Sequence, residues 1–409
     1  MSPPPRTAAA RPPYSLNEKI DVCRGVFALL VVVAHAFELA VTLDPHWASG
    51  LPRPLVDVLS YATGTGIYYV MGFFILSGYC IQASVQRLAR EGTFPLRTYL
   101  VARATRILPL YYAALAFAVA VEAGARASGW RPSVWMNGLN RPTLAFQGLL
   151  VQNFTETFGS FAPSWSITNE AAYYLLFGLI AAVTIPLGRR PAVAGMGLCV
   201  ALGLALQVGY RLGARHPLVL WTGLLFGLGA VWHLGALVSV YTPRLADSRR
   251  LGLLARAWPA AVLLSMAMWT SRRVHQEFVY VAAGVAFALM LVRFINQDRE
   301  ARASGSPPPS GTRRLPEELG LISYPTYLFH GPLLLAFGTA IRAGGVTAPW
   351  WAIWPAAALF AIGCCLPLGR LLEAPIMAWR VDVMRRLRSR PVAPAAAAPA
   401  PAPALGIQR

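Results

Sequence analysis

Ten separate apolar runs of about twenty residues recur along the chain, and this repetition limits its fold more than any other feature. A helix that crosses a bilayer needs about 20 mostly apolar residues, because the hydrocarbon core is about 30 Å thick and each residue rises about 1.5 Å. Only 13% of the 409 residues are charged and 56% are hydrophobic, whereas ordinary soluble proteins are about 25% charged. We therefore predict an all-α integral membrane protein of about ten transmembrane helices with a polar core near the first four. The runs lie at 26–43, 61–84, 107–124, 167–187, 191–209, 216–241, 251–270, 276–295, 319–341 and 349–371.

The distribution of arginine and lysine indicates the orientation, because these residues are retained on the cytoplasmic side of membrane proteins. If the N-terminus is inside, 27 of the 36 Lys and Arg residues fall on the cytoplasmic side and 9 on the other side. We predict that both termini are cytoplasmic, in a multi-pass protein of the inner cell membrane. The net charge of +19 then needs no nucleic-acid partner, since the basic residues border helix ends and do not form one patch among stacking aromatics.

The composition divides the chain into a membrane domain and two tails. Residues 1–15 and 381–409 are rich in Pro, Ala and Arg, so we predict disordered tails around a transmembrane domain at 16–380. No small-residue cleavage site follows the first apolar run, which favours a retained helix over a signal peptide. The five cysteines have neither metal-type nor disulfide-type spacing, and we predict no metal site.

His35 lies in the middle of the first apolar run, and Glu38 follows one helical turn later. An ionisable group in hydrocarbon costs at least about 2.5 kcal/mol and persists only with a partner or a water-filled cavity. One interpretation is a histidine hydrogen-bonded between helices, which contributes about 1 kcal/mol to packing. The other, which we favour, is a general base or acyl carrier, because histidine exchanges protons near neutral pH. Arg24 lies about 16 Å from His35 along a helix, and taken alone it is an ordinary cytoplasmic anchor.

Six ordered motifs resemble the membrane acyltransferase-3 family. They are IDVCRGVFALLVVVAH, YYVMGFFILSGYCI, YLVARATRILPLYY, APSWSITNEAAYYLLF, LGLISYPTYLFHGPLL and RLLEAPIMAW, and they extend from residue 20 to residue 379. Residues from about 190 to 315 match in hydropathy only. The resemblance implies about ten helices and the transfer of an acyl group, commonly acetyl, from cytosolic acyl-CoA to a hydroxyl of a sugar or related acceptor.

The resemblance and the residue chemistry together predict a donor site at the cytoplasmic helix ends. Arg103 and Arg106 lie one turn apart, and guanidinium groups can bind phosphates bidentately. We predict that they bind the CoA phosphates together with Arg24, the alternative for all three being positive-inside anchors. Ser77 and Gly78 either allow close helix packing or line a slot for the pantetheine arm.

The predicted catalytic residues are His35 and Glu170. The resemblance makes Glu170 the partner of His35, although a carboxylate at a helix start also completes the helix N-terminus. Glu38 is the rival partner, because residues three apart on a helix share a face. The predicted acceptor-binding residues are Trp165, Tyr327 and His330, with a hydrogen-bonded structural histidine as the alternative for His330.

The predicted function is O-acylation at the membrane, with acyl-CoA as donor substrate and His35 as the reacting side chain. His35 either removes the proton of the acceptor hydroxyl or carries the acyl group as an acyl-imidazole. The acceptor is predicted to be a surface polysaccharide or lipid-linked sugar, with a small secreted metabolite such as a macrolide sugar as the alternative. A proton-coupled transporter with His35 and Glu170 as relay is the non-enzyme alternative. A homodimer is compatible with each of these.

Overall fold

A computed structural model describes residues 14–64, 66–89, 92–130, 132, 140–154, 159–271, 274–304 and 314–388. Of these residues, 86% are helical and none lies in a strand, so the predicted all-α membrane fold is confirmed. The helices are α1 (Leu16–Leu43), α2 (Arg53–Thr63), α3 (Gly66–Leu88), α4 (Leu96–Ala127), α5 (Arg141–Gly148), α6 (Trp165–Thr184), α7 (Pro191–Arg211), α8 (Pro217–Asp247), α9 (Arg249–Arg256), α10 (Trp258–Ser271), α11 (Gln276–Ala303), α12 (Arg314–Ala343), α13 (Trp350–Leu368) and α14 (Ala374–Arg388).

Each predicted span coincides with one of these helices or with a consecutive pair. Among the described residues, eight helical segments are long and apolar enough to cross a membrane, and α9 with α10, bent by 58°, makes a ninth. The predicted span at 319–341 is α12, which has 30 residues and is therefore long enough to cross. It is not among the eight, because polar side chains such as Tyr324, Tyr327 and His330 lower its mean hydropathy.

Helix α1 begins ahead of the apolar run, at a capping box. The Ser15 hydroxyl accepts from the Glu18 N–H (3.4 Å), and the Glu18 carboxylate accepts from the Ser15 N–H (2.7 Å), which satisfies two of the unpaired donors at the helix start. Arg24 and His35 therefore belong to one helix. At the other end of the chain, α14 continues to Arg388, past residue 380, where we expected the tail to begin. The tail residues 1–13 and 389–409 lie outside the described part.

Helix α1 packs against both α3 and α12, and most extensively against α12. A side chain at Gly25 of α1 would collide with Leu319 of α12, and one at Gly72 of α3 would collide with the Phe27 ring. Small residues at these crossings let the backbones approach closely. The approach brings the middle of α1 within hydrogen-bonding reach of the middle of α12.

The segment between α4 and α6 folds over one end of the bundle. It contains α5 and two 3₁₀ turns, Gln152–Phe154 and Gly159–Ser164. Glu122 of α4 is fully buried, and its carboxylate accepts from the Ser160 N–H (3.0 Å) and hydroxyl (2.7 Å). Buried polar groups need such partners, so Glu122 fixes the second 3₁₀ turn against the bundle.

Candidate active site

Two cavities lie inside the bundle, and the side chains of Val70 and Tyr327 line both of them. The first, of about 110 Å³, is named the inner cavity because its lining includes Arg24 and Arg106 near the predicted cytoplasmic helix ends. The second, of about 160 Å³, is named the outer cavity and has His35 in its wall. Val70 and Tyr327 therefore form the boundary between a basic compartment and a compartment that contains the histidine.

His35 meets a second histidine from α12. Its Nδ1 lies 3.1 Å from Nε2 of His330, and the two rings are stacked with centroids 5.0 Å apart. His330 is completely buried, and its Nδ1 lies 3.0 Å from the Thr326 carbonyl oxygen. The sequence motif around His330 predicted an acceptor-binding residue. In the structure, His330 contacts His35 and lines neither cavity.

This chain of contacts determines which nitrogens carry protons. A carbonyl oxygen only accepts, so the bond to Thr326 requires a hydrogen on Nδ1 of His330, and a neutral imidazole then has its lone pair on Nε2. His330 therefore accepts a hydrogen bond from Nδ1 of His35. That assignment leaves the lone pair of His35 on Nε2, the nitrogen that a general base or a nucleophile uses.

Glu170 belongs to a different network, in the wall of the inner cavity. Its carboxylate accepts hydrogen bonds from the Ser77 hydroxyl (2.6 Å) and from the Tyr174 hydroxyl, and Trp232 Nε1 donates to the same Ser77 oxygen (3.1 Å). The direct contact between Glu170 and His35 that the resemblance led us to expect is not present. The rotation of α6 about its own axis, which helix packing determines, directs the carboxylate toward α3.

Glu38 shares the wall of the outer cavity with His35, as its i+3 spacing predicted. The hydrogen bond that orients the His35 ring is nevertheless the one that His330 accepts. Glu38 thus lies in the same cavity wall as His35. It does not replace His330 as the hydrogen-bond partner at Nδ1.

Ser77 and Gly78 have separate surroundings, although they are adjacent in the sequence. Ser77 lines the inner cavity. Gly78 faces α8 instead, where a Cβ would overlap the Trp232 carbonyl oxygen, and a Cβ at Gly235 would likewise overlap the Ile75 carbonyl oxygen. Two reciprocal glycine contacts of this kind are the mark of a close helix crossing, so Gly78 serves packing and does not line the inner cavity.

The three predicted arginines also differ in their surroundings. Arg24 and Arg106 line the inner cavity. Arg24 lies 3.7 Å from the Asp21 carboxylate. Arg103 is not part of that lining: it donates to the Ser84 hydroxyl (3.1 Å) and lies 5.6 Å from the centre of the Tyr99 ring.

Arg106 is paired with a carboxylate from the last motif of the chain. Its guanidinium donates to Glu373, which is almost completely buried, and it lies 5.1 Å from the centre of the Tyr324 ring. Glu373 ends a single π-helical turn, Gly369–Glu373, between α13 and α14. π-Helical turns are rare and are frequent at functional sites. The second oxygen of Glu373 has no hydrogen-bond partner among the described residues.

Arg380 is a further arginine beside this group that the sequence did not single out. It lies on α14, is half-buried, and its Nε donates to the Ala102 carbonyl oxygen (3.2 Å). This contact brings its charge close enough to interact with Arg103 and Arg106. The only sequence signal was its position directly after the motif RLLEAPIMAW, as the last residue of the predicted transmembrane domain.

The remaining predicted acceptor residues, Trp165 and Tyr327, both line the outer cavity. The Tyr327 hydroxyl donates to the Pro163 carbonyl oxygen (3.1 Å) and lies 2.7 Å from the Ser166 hydroxyl. These bonds join α12 to the start of α6 and to the 3₁₀ turn that Glu122 fixes from the other side. Glu122 was detectable in the sequence as an acid within the third apolar run. No cluster of three or more metal-type side chains occurs within the described ranges.

The arrangement therefore combines a histidine whose proton positions are set, a basic inner compartment and an aromatic outer compartment. A model of a family described as an acyltransferase domain matches residues 17–370, nearly the whole chain. No curated protein and no solved structure gives a significant match.

Proposed function

The chain belongs to the acyltransferase-3 family of membrane enzymes, and we propose that it acylates a hydroxyl of a surface polysaccharide or lipid-linked sugar. The acyl group, acetyl in this proposal, comes from cytosolic acyl-CoA. Family membership makes the protein an acyltransferase, which favours the enzyme over the non-enzyme alternative, a proton-coupled transporter. We place the enzyme in the cell membrane with its arginine-rich helix ends toward the cytoplasm, as the distribution of Arg and Lys predicts.

One observation carries the proposal: the hydrogen bond between Nδ1 of His35 and Nε2 of His330, at the wall of the outer cavity. It orients the His35 ring and leaves its second nitrogen with a lone pair. A donor that enters from the inner cavity and an acceptor that enters from the outer cavity would meet beside Val70 and Tyr327, which line both. Holding the two reactants in this way lowers the entropic cost of their reaction.

In the direct route, Nε2 of His35 removes the proton of the acceptor hydroxyl as its oxygen attacks the thioester carbonyl. The new C–O bond forms, the C–S bond breaks, and the thiolate of CoA takes the proton back from His35. No net charge is left on the protein, and the products are an ester and CoA. His330 acts here as a positioning residue, in the way that a buried hydrogen-bond partner orients a catalytic imidazole in other acyl-transfer enzymes.

In the stepwise route, Nε2 of His35 attacks the thioester carbon, the C–S bond breaks, and CoA leaves as the thiolate, so that His35 carries the acyl group as an acyl-imidazolium whose Nδ1–H still donates to His330. The acceptor oxygen then attacks the acyl carbon, the C–N bond breaks, and the proton of the acceptor hydroxyl neutralises the CoA thiolate, which leaves an ester, CoA and the original imidazole. The same lone pair is used in both routes, so the geometry at His330 supports each of them. In the stepwise route the acyl group moves outward while CoA stays on the cytoplasmic side.

The proposed donor site uses the arginines at the inner end of the bundle. Arg24 and Arg106 line the inner cavity, and Arg380 adds a third positive charge close by. Guanidinium groups bind phosphate oxygens bidentately, so we propose that these three hold the phosphates of acyl-CoA. Ser77 and Glu170 then face the pantetheine arm, whose amides can exchange hydrogen bonds with them.

The proposed acceptor site is the outer cavity. Its wall presents the Trp165 and Tyr327 rings together with the carboxylate of Glu38. Aromatic faces pack against the apolar faces of sugar rings, and a carboxylate accepts hydrogen bonds from hydroxyls. This lining supports a sugar acceptor over a purely apolar one.

The proposal is tested by mass spectrometry of surface glycans from cells that express the wild-type protein or the His35→Ala variant. The wild type is expected to add O-acyl groups, and His35→Ala is expected to add none at equal membrane abundance. His233→Ala is the control for loss of a histidine elsewhere in the bundle, because His233 is fully buried and bonded to a helix carbonyl and lies in neither cavity. O-acyl groups that persist in His35→Ala would refute the role of His35, and their absence in the wild type would refute the acceptor class.

A further inference from the structure

A basic pocket of about 540 Å³ lies where α8 ends and α9 begins, and it shares no lining residue with the inner or outer cavity. Four arginines and two carboxylates contribute to its wall. They are Arg249, Arg256, Arg293, Arg299, Asp247 and Glu300. The ends of α8 and α11 that form the pocket are cytoplasmic in the predicted orientation.

The two carboxylates are already paired with two of the arginines. Asp247 lies 3.0 Å from the guanidinium of Arg299, and Glu300 lies 3.8 Å from that of Arg293. Arg249 and Arg256 form no such ion pair with any residue in the described ranges. Arg249 also lies in the first turn of α9, where the positive end of the helix dipole disfavours a cation. The pocket therefore carries surplus positive charge that a bound anion would neutralise.

Helix α9 presents three different faces. Ala255 is fully buried against the bundle. Arg249, Gly252 and Arg256 recur at intervals of three and four residues, so they share the face that lines the pocket. Leu254, with 59% of its surface exposed, projects away from the protein. An eight-residue helix with this pattern, bent by 58° from the helix that follows it, has the features of an amphipathic helix in the plane of the membrane interface.

We propose that the pocket binds the headgroup of an anionic phospholipid from the cytoplasmic leaflet. Its phosphate would lie between Arg249 and Arg256, and its acyl chains would run beside the exposed Leu253 and Leu254. Basic pockets between helices on the cytoplasmic side are suited to such headgroups. A soluble phosphate would contact only the arginines. A phospholipid would bind the arginines through its phosphate and also cover the two exposed leucines with its acyl chains.

The test is a titration of the full-length protein in neutral detergent with phosphatidylglycerol and, separately, with phosphatidylcholine, followed by native mass spectrometry at constant ionic strength. Saturable binding of phosphatidylglycerol alone is expected. The double variant Arg249→Ala/Arg256→Ala should weaken it about thirtyfold, because each basic residue at an anionic lipid surface contributes about fivefold. The control is Arg250→Ala, which removes one positive charge from α9 at a position outside the pocket wall and should bind as the wild type does.

A second variant, Gly252→Leu, would fill the pocket without changing its charge. A Cβ at Gly252 would come no closer than 3.8 Å to Asn296 Nδ2, so Gly252→Leu can be accommodated and should fill the pocket and abolish binding. The melting temperature and the helical circular dichroism of each variant establish that it is folded. Binding that survives in the double variant or in Gly252→Leu would overturn the proposal, as would an equal loss in Arg250→Ala. Competition by inorganic phosphate at the same concentration as phosphatidylglycerol would overturn the choice of a lipid ligand.

Discussion

Replacement of His330 by phenylalanine isolates the contribution of the histidine pair. Phenylalanine retains the ring and most of the volume of the side chain in its fully buried position, but it cannot accept the hydrogen bond from Nδ1 of His35. The His35 ring then loses the contact that determines its proton positions and its orientation. The affinity of the protein for acyl-CoA should be unaffected, because His330 lines neither cavity.

The expected size of the effect follows from one hydrogen bond. A buried donor that loses its acceptor costs about 1–3 kcal/mol, and each 1.36 kcal/mol of activation free energy is tenfold in rate. His330→Phe should therefore lower kcat by about fivefold to 150-fold. The KM for acyl-CoA should stay close to the wild-type value, because a loss confined to the reacting arrangement appears in kcat.

The assay measures initial rates of acyl transfer in membranes that contain equal amounts of each variant. His330→Gln is the conservative counterpart, because its amide oxygen can reach the position of the imidazole Nε2 and accept the same bond, so it should retain most of the wild-type rate. His233→Phe is the control for loss of a buried histidine elsewhere in the fold. A wild-type kcat in His330→Phe, or an equal loss in His330→Gln and His233→Phe, would refute the positioning role.

Three other perturbations test separate parts of the structure. Arg380→Ala should raise the KM for acyl-CoA about tenfold and leave kcat unchanged, since it removes one charge-assisted phosphate contact of the proposed donor site; an unchanged KM in initial-rate measurements would contradict this. Gly78→Ala should lower the melting temperature and yield, because its Cβ would overlap the Trp232 carbonyl oxygen and overpacking costs about 1–3 kcal/mol; wild-type thermal unfolding would show that the crossing is looser than described. Ser77→Ala should destabilise the protein by about 1–3 kcal/mol, because it leaves Glu170 and the Trp232 N–H without a shared partner; differential scanning fluorimetry that finds equal stability would exclude a cooperative network.

The fold could be predicted because the bilayer imposes a length on each apolar run, and every predicted span coincides with helix. The helix ends were harder, because capping and not hydropathy determines them. Helix α1 starts at the Ser15 capping box, well before its apolar run, and α14 continues as a charged helix to Arg388. Helix α12 shows the limit of hydropathy: it is central to the bundle, yet the polar residues that it contributes to the candidate site make it less apolar than its neighbours.

The sequence singled out the candidate residues but could not show which of them contact each other in the structure. The unusual cost of a histidine in an apolar run identified His35, but its partner His330 is 295 positions away, and no local pattern encodes such a contact. Glu170 was placed in the correct helix, whereas the direction of its carboxylate depends on how α6 rotates against α3. Gly78 had two interpretations in the sequence, and only the position of the Trp232 carbonyl oxygen distinguishes them.

The number of residues in the π-helical turn Gly369–Glu373, and not their types, sets the direction in which the side chains of α14 point. A π turn accommodates one residue more than the α-helical path, and one residue corresponds to about 100° of rotation around the helix axis. Deletion of a single residue in this turn would leave the membrane-crossing part of α13 and all the arginines of α14 in the chain. It would nevertheless rotate Arg380 by about a quarter of a turn away from the Ala102 carbonyl oxygen of α4. Insertions and deletions at this point, invisible to a comparison of residue types, would therefore decide whether α14 contributes its charge to the inner cavity or presents it to the membrane surface.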